Sequence, residues 1–324
     1  MTKVYVFGHK NPDNDSIVSA AVYADFLNDS EPEGSDRTYI AARLGDIPPE
    51  TQYVFERFDA VDMLPIPLPA PSGDEPMKVV LVDHNEYSQS ADGIEDMEIV
   101  EVIDHHRLGG IQTAAPIPFM NLPYGSCATL VTVQYMDTET PLPHWAAAAL
   151  LSAVLTDTVI MKSPTTTPVD RDIIELLASG VDLDPQEFGM ELFKVRAEAA
   201  PFEPASALTT DLKEYDKGGK KVAIVQCESV TLDPVYAARE AIAEEMAKLC
   251  ESEKYDLFIF MATDIIKEGS ELFAIGDVEL AKKAFGCEFD QKIANNAGET
   301  GCCCEWMPGV LSRKKQVAAA IMDA

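Results

Sequence analysis

The sequence is poor in basic residues. Only 25 Lys and Arg stand against 55 Asp and Glu in 324 residues, so the formal net charge at pH 7 is −30 and the sequence pI is about 4.3. A surface of this charge repels polyanions at long range, which argues against general nucleic-acid binding. Any cluster of the few basic residues is therefore conspicuous, because it can form a local site for an anion.

The sequence also lacks long apolar runs and a regular cysteine pattern. No run approaches the roughly 20 apolar residues that a membrane span needs, and the N-terminus has no signal-peptide core. The seven cysteines are an odd number without disulfide spacing, and Cys302, Cys303 and Cys304 are adjacent. We therefore expect a reduced, cytoplasmic protein with no membrane partner, in which these three cysteines are small packing residues.

Histidine is scarce as well. Four of the five histidines lie close to aspartates at the ends of apolar runs. The runs are nearly continuous rather than alternating, which is typical of parallel strands buried on both faces. They predict strands at 3–7, 37–42, 78–82 and 99–103. Three of the strand ends carry metal-binding residue types, namely His9, Asp13 and Asp15, then Asp83 and His84, then Asp104, His105 and His106.

Helical patterns alternate with these strands, which predicts an α/β fold with a doubly wound parallel sheet. The first helix is expected at 17–27 with Asp15 or Ser16 as N-cap, and a short later helix at 172–178, closed by Gly180. Residues 180–204 have a mixed pattern. We predict a first domain at 1–195, a linker at 196–204, and a smaller α/β domain with a mixed sheet at 205–324.

The strand-end residues are expected to meet in space, because parallel strands have their carboxyl ends at one edge of the sheet. Asp157, at the end of an Ala-rich helix, is expected to join them. Carboxylates and imidazoles without a thiolate suit manganese, cobalt or iron better than calcium or magnesium. There are enough ligands for two ions, with Asp83 as a bridge. Two such ions lower the pKa of a shared water, which serves hydrolysis and phosphoryl transfer.

Simpler interpretations stand beside this one. Asp13 and Asp15 can be turn and N-cap residues, and Asp157 can be a helix-end residue that faces solvent. His84 fits a ligand and a structural residue about equally, and His144 beside Trp145 is interpreted as structural. Three such clusters at the ends of three parallel strands favour the metal centre.

The densest basic cluster is Ser312-Arg313-Lys314-Lys315-Gln316. Lys213 is a separate basic residue on the segment that leads into the second domain. A solvated helix start is the simpler interpretation of the cluster. Because basic residues are rare here, we expect Arg313, Lys314 and Lys213 to bind an anionic, phosphate-containing substrate instead.

Together these segments resemble the manganese-dependent (family II) inorganic pyrophosphatases of the DHH phosphoesterase superfamily over nearly the whole chain. The Asp-His-His segment occurs across the superfamily, and the Ser-Arg-Lys-Lys-Gln segment is more specific to this branch. The matching segments are 8–17 (GHKNPDNDSI), 43–45 (RLG), 49–51 (PET), 83–85 (DHN), 104–106 (DHH), 155–158 (LTDT), 162–165 (KSPT) and 312–316 (SRKKQ).

The resemblance implies an N-terminal DHH domain, a DHHA2-like C-terminal domain and an active site in the cleft between them. It also implies roles for single residues. One Mn²⁺ would be held by His9, Asp13 and Asp83, and a second by Asp15, Asp83, His105 and Asp157. His106, Lys213, Arg313 and Lys314 would contact the substrate phosphates, and His106 would assist the leaving group. His84, Asn85 and Asp104 would orient the ligands.

The resemblance further implies pyrophosphate as substrate, hydrolysed by a metal-bridged hydroxide that attacks phosphorus directly. Mg²⁺ would arrive with the substrate, and Co²⁺ is a substitute for Mn²⁺. Subunits of this family typically pair as homodimers through the N-terminal domain. No stretch between Arg43 and Asp104 is long enough for a regulatory nucleotide-binding insert, so an unregulated form is expected.

Three rival functions remain open at this point. An exopolyphosphatase would use the same chemistry. An oligonucleotide nuclease of the superfamily would carry a glycine–histidine motif in the C-terminal domain, and no histidine follows His144. A non-catalytic metal- or phosphate-binding protein would have no need of Asp15, Asp157 and the basic cluster together.

Overall fold

The chain forms two compact units, Met1–Arg196 and Ala197–Ala324. The computed structural model describes residues 2–72, 75–199, 202–210, 212–295 and 298–324. The predicted linker, 196–204, includes residues 200 and 201, which lie outside the described residues. None of the helices in the described ranges combines the length and the apolar character of a membrane span.

The first unit contains a six-stranded sheet in which every strand is parallel to its neighbours. The strand order is β3-β2-β1-β4-β5-β6. From β1 the chain adds β2 and β3 toward one edge, and it then adds β4, β5 and β6 toward the other edge. The strands are β1 (Thr2–Phe7), β2 (Arg37–Arg43), β3 (Ile66–Pro67), β4 (Lys78–Val82), β5 (Glu98–Asp104) and β6 (Phe119–Asn121). The predicted parallel sheet is confirmed, and the short edge strands β3 and β6 were not predicted.

Six helices accompany this sheet. They are α1 (Asn14–Ser30), α2 (Pro49–Arg57), α3 (Cys127–Asp137), α4 (His144–Asp157), α5 (Pro168–Val181) and α6 (Pro185–Ala199). Short 3-10 turns lie at Val61–Met63, Tyr87–Gln89 and Ile94–Asp96. The strand residues Val79 to Val82 are fully buried, which explains their continuous apolar pattern.

The first helix begins earlier than predicted. Its N-cap is Asp13, whose Oδ1 accepts a hydrogen bond from Ser16 N at 2.9 Å, and not Asp15 or Ser16. An aspartate four residues before the predicted start can also act as the N-cap, because its side chain needs only a free backbone N–H two or three residues later. Asp15 therefore lies inside the first turn of α1.

Two other helix predictions are wrong. α5 continues through Gly180 and ends at Asp182, which has a left-handed φ of 54°. Residues 180–204, which were interpreted as mixed, contain α6. This helix begins with Pro185, and the preceding Asp184 accepts a hydrogen bond from Glu187 N at 2.8 Å. Proline at the first helical position and aspartate before it are both start signals, but the weak apolar period concealed them.

The second unit has its own six-stranded sheet, in the order β11-β12-β10-β9-β8-β7. It is mixed as predicted, because β8 and β9 are parallel and the other pairs are antiparallel. Its strands are β7 (Leu212–Lys217), β8 (Lys220–Ser229), β9 (Leu257–Asp264), β10 (Gly269–Gly276), β11 (Gln291–Asn295) and β12 (Gly298–Pro308).

Helices cover both faces of the second sheet. They are α7 (Pro204–Ala207), α8 (Asp233–Ala237), α9 (Arg239–Glu253), α10 (Val278–Phe285), a π-helix at Arg313–Ala318, and α11 (Ala319–Asp323). α8 and α9 are separated by a single residue, Ala238. Cys302 and Cys304 pack on one face with Ile242, and Cys303 packs on the other with Val317, as expected for small packing residues.

A single buried carboxylate holds several elements of the first unit together. Asp170, in the first turn of α5, accepts hydrogen bonds from Gly125 N, from Thr129 Oγ1 and from both N and Oγ1 of Thr167. The Thr167 contacts form a capping box, and the Gly125 and Thr129 contacts reach the start of α3. Asp170 therefore orders the loop before α3, which lies next to the metal-type residues.

We predict that Asp170→Ala lowers the free energy of unfolding of the protein by roughly 3 kcal/mol, because charged hydrogen bonds are lost and buried donors are left unpaired. The measurement is a urea titration. Asp172→Ala, an exposed position on the same helix, is the matched control and should change stability by less than about 0.5 kcal/mol. Equal stability of the two variants would contradict this role of Asp170.

Candidate metal centre

The metal-type side chains meet at the carboxyl edge of the first sheet. β1, β4 and β5 are adjacent in the sheet and run in the same direction, so the loops that follow them emerge together. Asp83 follows β4 with a φ of 60°, in the left-handed region that an aspartate adopts at some cost. This backbone turn places the Asp83 carboxylate between the β1 loop and the β5 loop.

Asp83 is the centre of the cluster. Its Oδ2 lies 3.3 Å from His9 Nε2, which is itself 3.6 Å from Asp13 Oδ2. Its Oδ1 lies 3.1 Å from His105 Nε2. His105 Nε2 is 3.6 Å from Asp157 Oδ2 and 3.9 Å from Asp15 Oδ2. The two oxygens of one carboxylate thus face two separate groups of ligands, as a bridging carboxylate would.

The imidazoles of His9 and His105 are held in the same tautomer. His9 Nδ1 is 2.8 Å from the carbonyl oxygen of Lys10, and His105 Nδ1 is 3.0 Å from that of Tyr124. Because a carbonyl oxygen can only accept, each Nδ1 carries the proton and donates it. In the neutral ring, Nε2 then keeps a free lone pair toward the Asp83 side, which is the arrangement of a metal-ligating histidine.

Asp15 is fixed by the N-terminus of α3. Its Oδ2 accepts from Cys127 N at 2.6 Å, and its Oδ1 accepts from Ala128 N at 2.9 Å and from Ser19 Oγ at 3.1 Å. The free N–H groups and dipole of a helix start stabilise a carboxylate. These three donors hold the Asp15 carboxylate in place.

Asp157 ends α4, and the chain then makes a left-handed turn. Val159, Ile160 and Met161 have φ values of 49°, 50° and 63°. Such φ values cost roughly 1–2 kcal/mol per residue in L-amino acids, more for branched side chains. Ile160 is buried and its N donates to Leu155 O at 2.8 Å, so packing and hydrogen bonding maintain the turn. The turn fixes the direction of the α4 end at Asp157.

The cluster carries more buried negative charge than it can neutralise by itself. Burial, followed by the neighbouring Asp83, raises the pKa of Asp15 to about 6, and burial with the carboxylates of Asp15, Asp13 and Asp83 raises the pKa of Asp157 well above its usual range. Burial alone would lower the pKa of His9, but Asp13 and Asp83 outweigh it and raise that pKa to about 11. Burial alone would also lower the pKa of His105, but Asp83 and Asp15 outweigh it and raise that pKa to about 9. All four pKa shifts reflect a demand for cations.

Both carboxylate oxygens of Asp83 and the Nε2 of His105 are buried and, within the described part of the chain, have no hydrogen-bond partner of normal geometry. Such atoms are costly in a folded protein unless an ion or ligand meets them. The ligand atoms fall into compact groups, within 4.8 Å of one another, of which two are His9 with Asp13 and Asp83, and Asp15 with His105 and Asp157. These residues fit two divalent cations with oxygen and nitrogen ligands.

His106 lies beside the cluster and is half exposed. Asp104 is fully buried, and its Oδ1 accepts from His106 N at 3.1 Å and from His106 Nδ1 at 2.9 Å. The hydrogen bond to Asp104 raises the pKa of His106, and it leaves Nε2 as the free nitrogen of the ring. Asn85 donates to the other oxygen of Asp104 and so fixes this carboxylate in turn.

His84 lies outside both ligand groups. Its Nδ1 is 2.8 Å from Val82 O and its Nε2 is 3.0 Å from Ser90 Oγ, so both ring nitrogens are used in hydrogen bonds. Burial lowers its pKa. The structure therefore gives His84 a structural role, and a cavity of about 300 Å³ opens beside it. The cavity is lined by His9, Asp83, His84, Asn85, Glu86, Gln89, His106 and Arg107.

The predicted substrate-binding cations lie in the second unit, on one face of its sheet. Lys213 on β7 is paired with Ile224 on β8, and directly opposed residues of an antiparallel pair point to the same face. Ile224 packs in the same cluster as Val317 of the π-helix that begins with Arg313 and Lys314. The structure thus brings Lys213 and the basic cluster to one side of the second sheet.

Two family models match successive parts of the chain, and known proteins match nearly all of it. Residues 3–181 match the N-terminal domain of the DHH family, and residues 190–324 match the DHHA2 domain. A manganese-dependent inorganic pyrophosphatase of Methanothrix thermoacetophila is 38% identical over 321 residues, which are 99% of this chain and 98% of that protein. That of Methanocaldococcus jannaschii is 38% identical over 329 residues, with the same two coverages.

The chain belongs to the family of manganese-dependent inorganic pyrophosphatases.

A solved structure supports this membership. A Methanococcus jannaschii protein described as a family II inorganic pyrophosphatase superposes with a TM-score of 0.59 and 36% sequence identity, covering 99% of this chain and 98% of that one. The predicted family and the predicted two-domain α/β fold are therefore confirmed.

Two residues at the metal centre have roles that were not predicted from the sequence. Asn14, between Asp13 and Asp15, is fully buried and bonds to Thr51, Ser152 and Thr156. It ties the β1 loop to α2 and to the end of α4, but its partners are too distant in sequence to be inferred. Arg107 lines the cavity and pairs with Glu86 at 3.1 Å. Its place directly after His106 was a usable signal.

If Asp83 is the bridge, its loss should affect both metal positions. We predict that Asp83→Ala weakens the binding of both Mn²⁺ ions by more than about 100-fold, since the loss of an outer partner alone costs about 10–100-fold. Asp13→Ala should lose one ion and retain the other. The measurement is metal content and calorimetric titration of the stripped protein, with circular dichroism as the test of folding. One tightly bound ion in Asp83→Ala would refute the bridge.

Proposed function

We propose that this protein hydrolyses inorganic pyrophosphate to two phosphates, with two Mn²⁺ ions per subunit. The observation that carries the proposal is the Asp83 carboxylate, whose oxygens each face a separate group of ligands without a hydrogen-bond partner in the described part of the chain. Membership in a family whose relatives are named for this activity supports the substrate.

In this proposal His9, Asp13 and Asp83 hold one ion, and Asp15, Asp83, His105 and Asp157 hold the other. When bound, the two ions would lower the pKa of a nearby water and neutralise phosphate oxygens. Co²⁺ is an alternative to Mn²⁺, and Mg²⁺ accompanies the substrate. The first unit serves as the metal-binding domain and the second as the substrate-binding domain.

The chain's own residues supply the remaining steps. The water gives one proton to the solvent, its oxygen forms a bond to one phosphorus, the bond from that phosphorus to the bridging oxygen breaks, and the second phosphate leaves. In this proposal the charged form of His106, whose Nδ1 proton is held by Asp104, gives its Nε2 proton to the leaving phosphate. Lys213, Arg313 and Lys314 bind the phosphate oxygens and offset their charge as it redistributes.

The proposal extends to the setting of the enzyme. It has no nucleic-acid or membrane partner, acts in the cytoplasm and forms a homodimer through its N-terminal domain. Light scattering and analytical sedimentation at several protein concentrations, without chemical cross-linking, measure the mass of the dimer directly.

We predict that metal-stripped protein reloaded with Mn²⁺ releases phosphate from pyrophosphate much faster than from long-chain polyphosphate or short dinucleotides. The reason is that a few cations beside two ions match a small, highly charged substrate. Phosphate release is measured for the three substrates at equal concentration. Cleavage of polyphosphate or dinucleotides with negligible release from pyrophosphate would contradict the proposed function.

We predict that Lys314→Ala lowers kcat/KM for pyrophosphate by roughly 10- to 1000-fold, because an electrostatic contact to the reacting phosphates is removed. Metal content should be unchanged. Lys315→Ala, the adjacent and likewise exposed lysine, is the matched control and should retain near wild-type kinetics. Equal kinetics of both variants would leave the basic cluster without a role in substrate binding.

A further inference from the structure

Three polar side chains, two of them buried and one half-buried, interrupt an apolar face of the second sheet. They are Gln226 on β8, Thr263 on β9 and Ser270 on β10, and we name them the polar strip. The central positions of these three strands on this face are apolar, with Val222, Ile224, Ile259, Met261, Leu272 and Ala274 buried in one cluster. Thr263 is 2% and Ser270 0% exposed. Packing alone does not call for hydroxyls here, because buried polar groups are unfavourable unless they are hydrogen-bonded.

The strip forms a chain of hydrogen bonds that runs across three strands. Gln226 Nε2 donates to Thr263 Oγ1 at 3.0 Å, and Thr263 Oγ1 is 2.9 Å from Ser270 Oγ, which donates to the carbonyl oxygen of Val310 at 2.6 Å. Thr263 and Ser270 are directly opposed in the β9–β10 ladder. Since Ser270 gives its proton to a carbonyl, Thr263 must give its own to Ser270, so the whole chain is directed toward Val310.

The strip also reaches the residues directly before the basic side chains. Gln226 Nε2 lies 3.1 Å from the carbonyl oxygen of Leu311, and Gln226 Oε1 accepts from Arg313 N at 3.3 Å. The backbone is therefore attached to the sheet at Val310, at Leu311 and at Arg313. These contacts determine where the chain stands when it begins the π-helix.

The other side of this backbone is held by Gln316. Its Oε1 accepts from Leu311 N and Ser312 N, both at 2.9 Å, and its Nε2 donates to Gly309 O at 2.8 Å. The π-helix that follows contains a wide turn, in which Val317 N donates to Ser312 O at 3.3 Å. Such turns are rare and are frequently found at functional sites.

We propose that Gln226, Thr263 and Ser270 are positioning residues, which fix the backbone at residues 310–313 and thereby place Arg313 and Lys314 for pyrophosphate. This inference rests on the proposed function of Arg313 and Lys314. The three residues do not themselves contact substrate. Their contribution is preorganisation: long cationic side chains bind phosphate well only when their starting point is already fixed.

The test is the double variant Thr263→Val with Ser270→Ala, which removes both hydroxyls and keeps the strand shape. Thr231→Val, a hydroxyl removed elsewhere in the second unit, is the matched control. We expect the double variant to raise KM for pyrophosphate about 10-fold with kcat changed less than about 3-fold. Its Mn²⁺ content should be that of wild type, and its urea midpoint should stay within about 0.5 M. The single variant Thr263→Ser, which keeps the hydroxyl, should have the KM of wild type.

Amide hydrogen exchange of residues 309–318 provides a readout that does not depend on activity. The double variant should exchange these amides at least about 10-fold faster than the Thr231→Val control, with β9 and β10 equally protected in both. Unchanged exchange overturns the proposal, and so does faster exchange with an unchanged KM. If wild type releases no phosphate from pyrophosphate, the proposed function fails by itself. The affinity of the Mn²⁺-loaded variants for inorganic phosphate, measured by calorimetry, then takes the place of KM. A weaker affinity in the double variant supports the proposal, and an unchanged affinity overturns it.

Discussion

Repulsion among buried carboxylates is the constraint on which the first unit depends. Asp13, Asp15, Asp83 and Asp157 converge within a few ångströms of two imidazoles, and the pKa values of Asp15 and Asp157 rise in response. A fold that only required stability would not gather these charges, since each buried and unpaired carboxylate opposes folding. The arrangement becomes favourable when divalent cations enter, because their binding free energy then adds to that of the fold.

The fold holds the charges in place until that happens. Parallel strands bring three loops to one edge, the α3 N-terminus receives Asp15, and carbonyl oxygens orient His9 and His105. Strained backbone contributes as well, at Asp83 and in the left-handed turn after Asp157. Strain of this kind persists only where the surrounding contacts over-determine it. The buried Asn14 supplies such contacts, because it joins the β1 loop to the last turn of α4.

The parts of this arrangement that could be predicted from sequence are those that depend on local pattern. Continuous apolar runs marked the strands, and the residues just after them marked the edge where ligands meet. The structural role of His84 could not be predicted, because it depends on Ser90 and on the backbone turn at Asp83. The roles of Asn14, Asp170 and Gln226 depend on partners up to 142 residues away. A polar residue in an apolar pattern shows that a partner exists but does not show which one.

The acidic composition of the chain does not oppose an anionic substrate at the site. At physiological ionic strength, exposed charges are screened beyond about 8 Å, so the distant exposed charges behind the net charge of −30 are not a barrier to a small anion within the site. Within the site, the nearest charges dominate because low-dielectric surroundings screen them less. Two divalent cations would change the charge of the Asp83 cluster by +4. In the proposed function a pyrophosphate ion then meets divalent cations in place of uncompensated carboxylates, and Arg313 and Lys314 contribute because the polar strip and Gln316 fix their backbone.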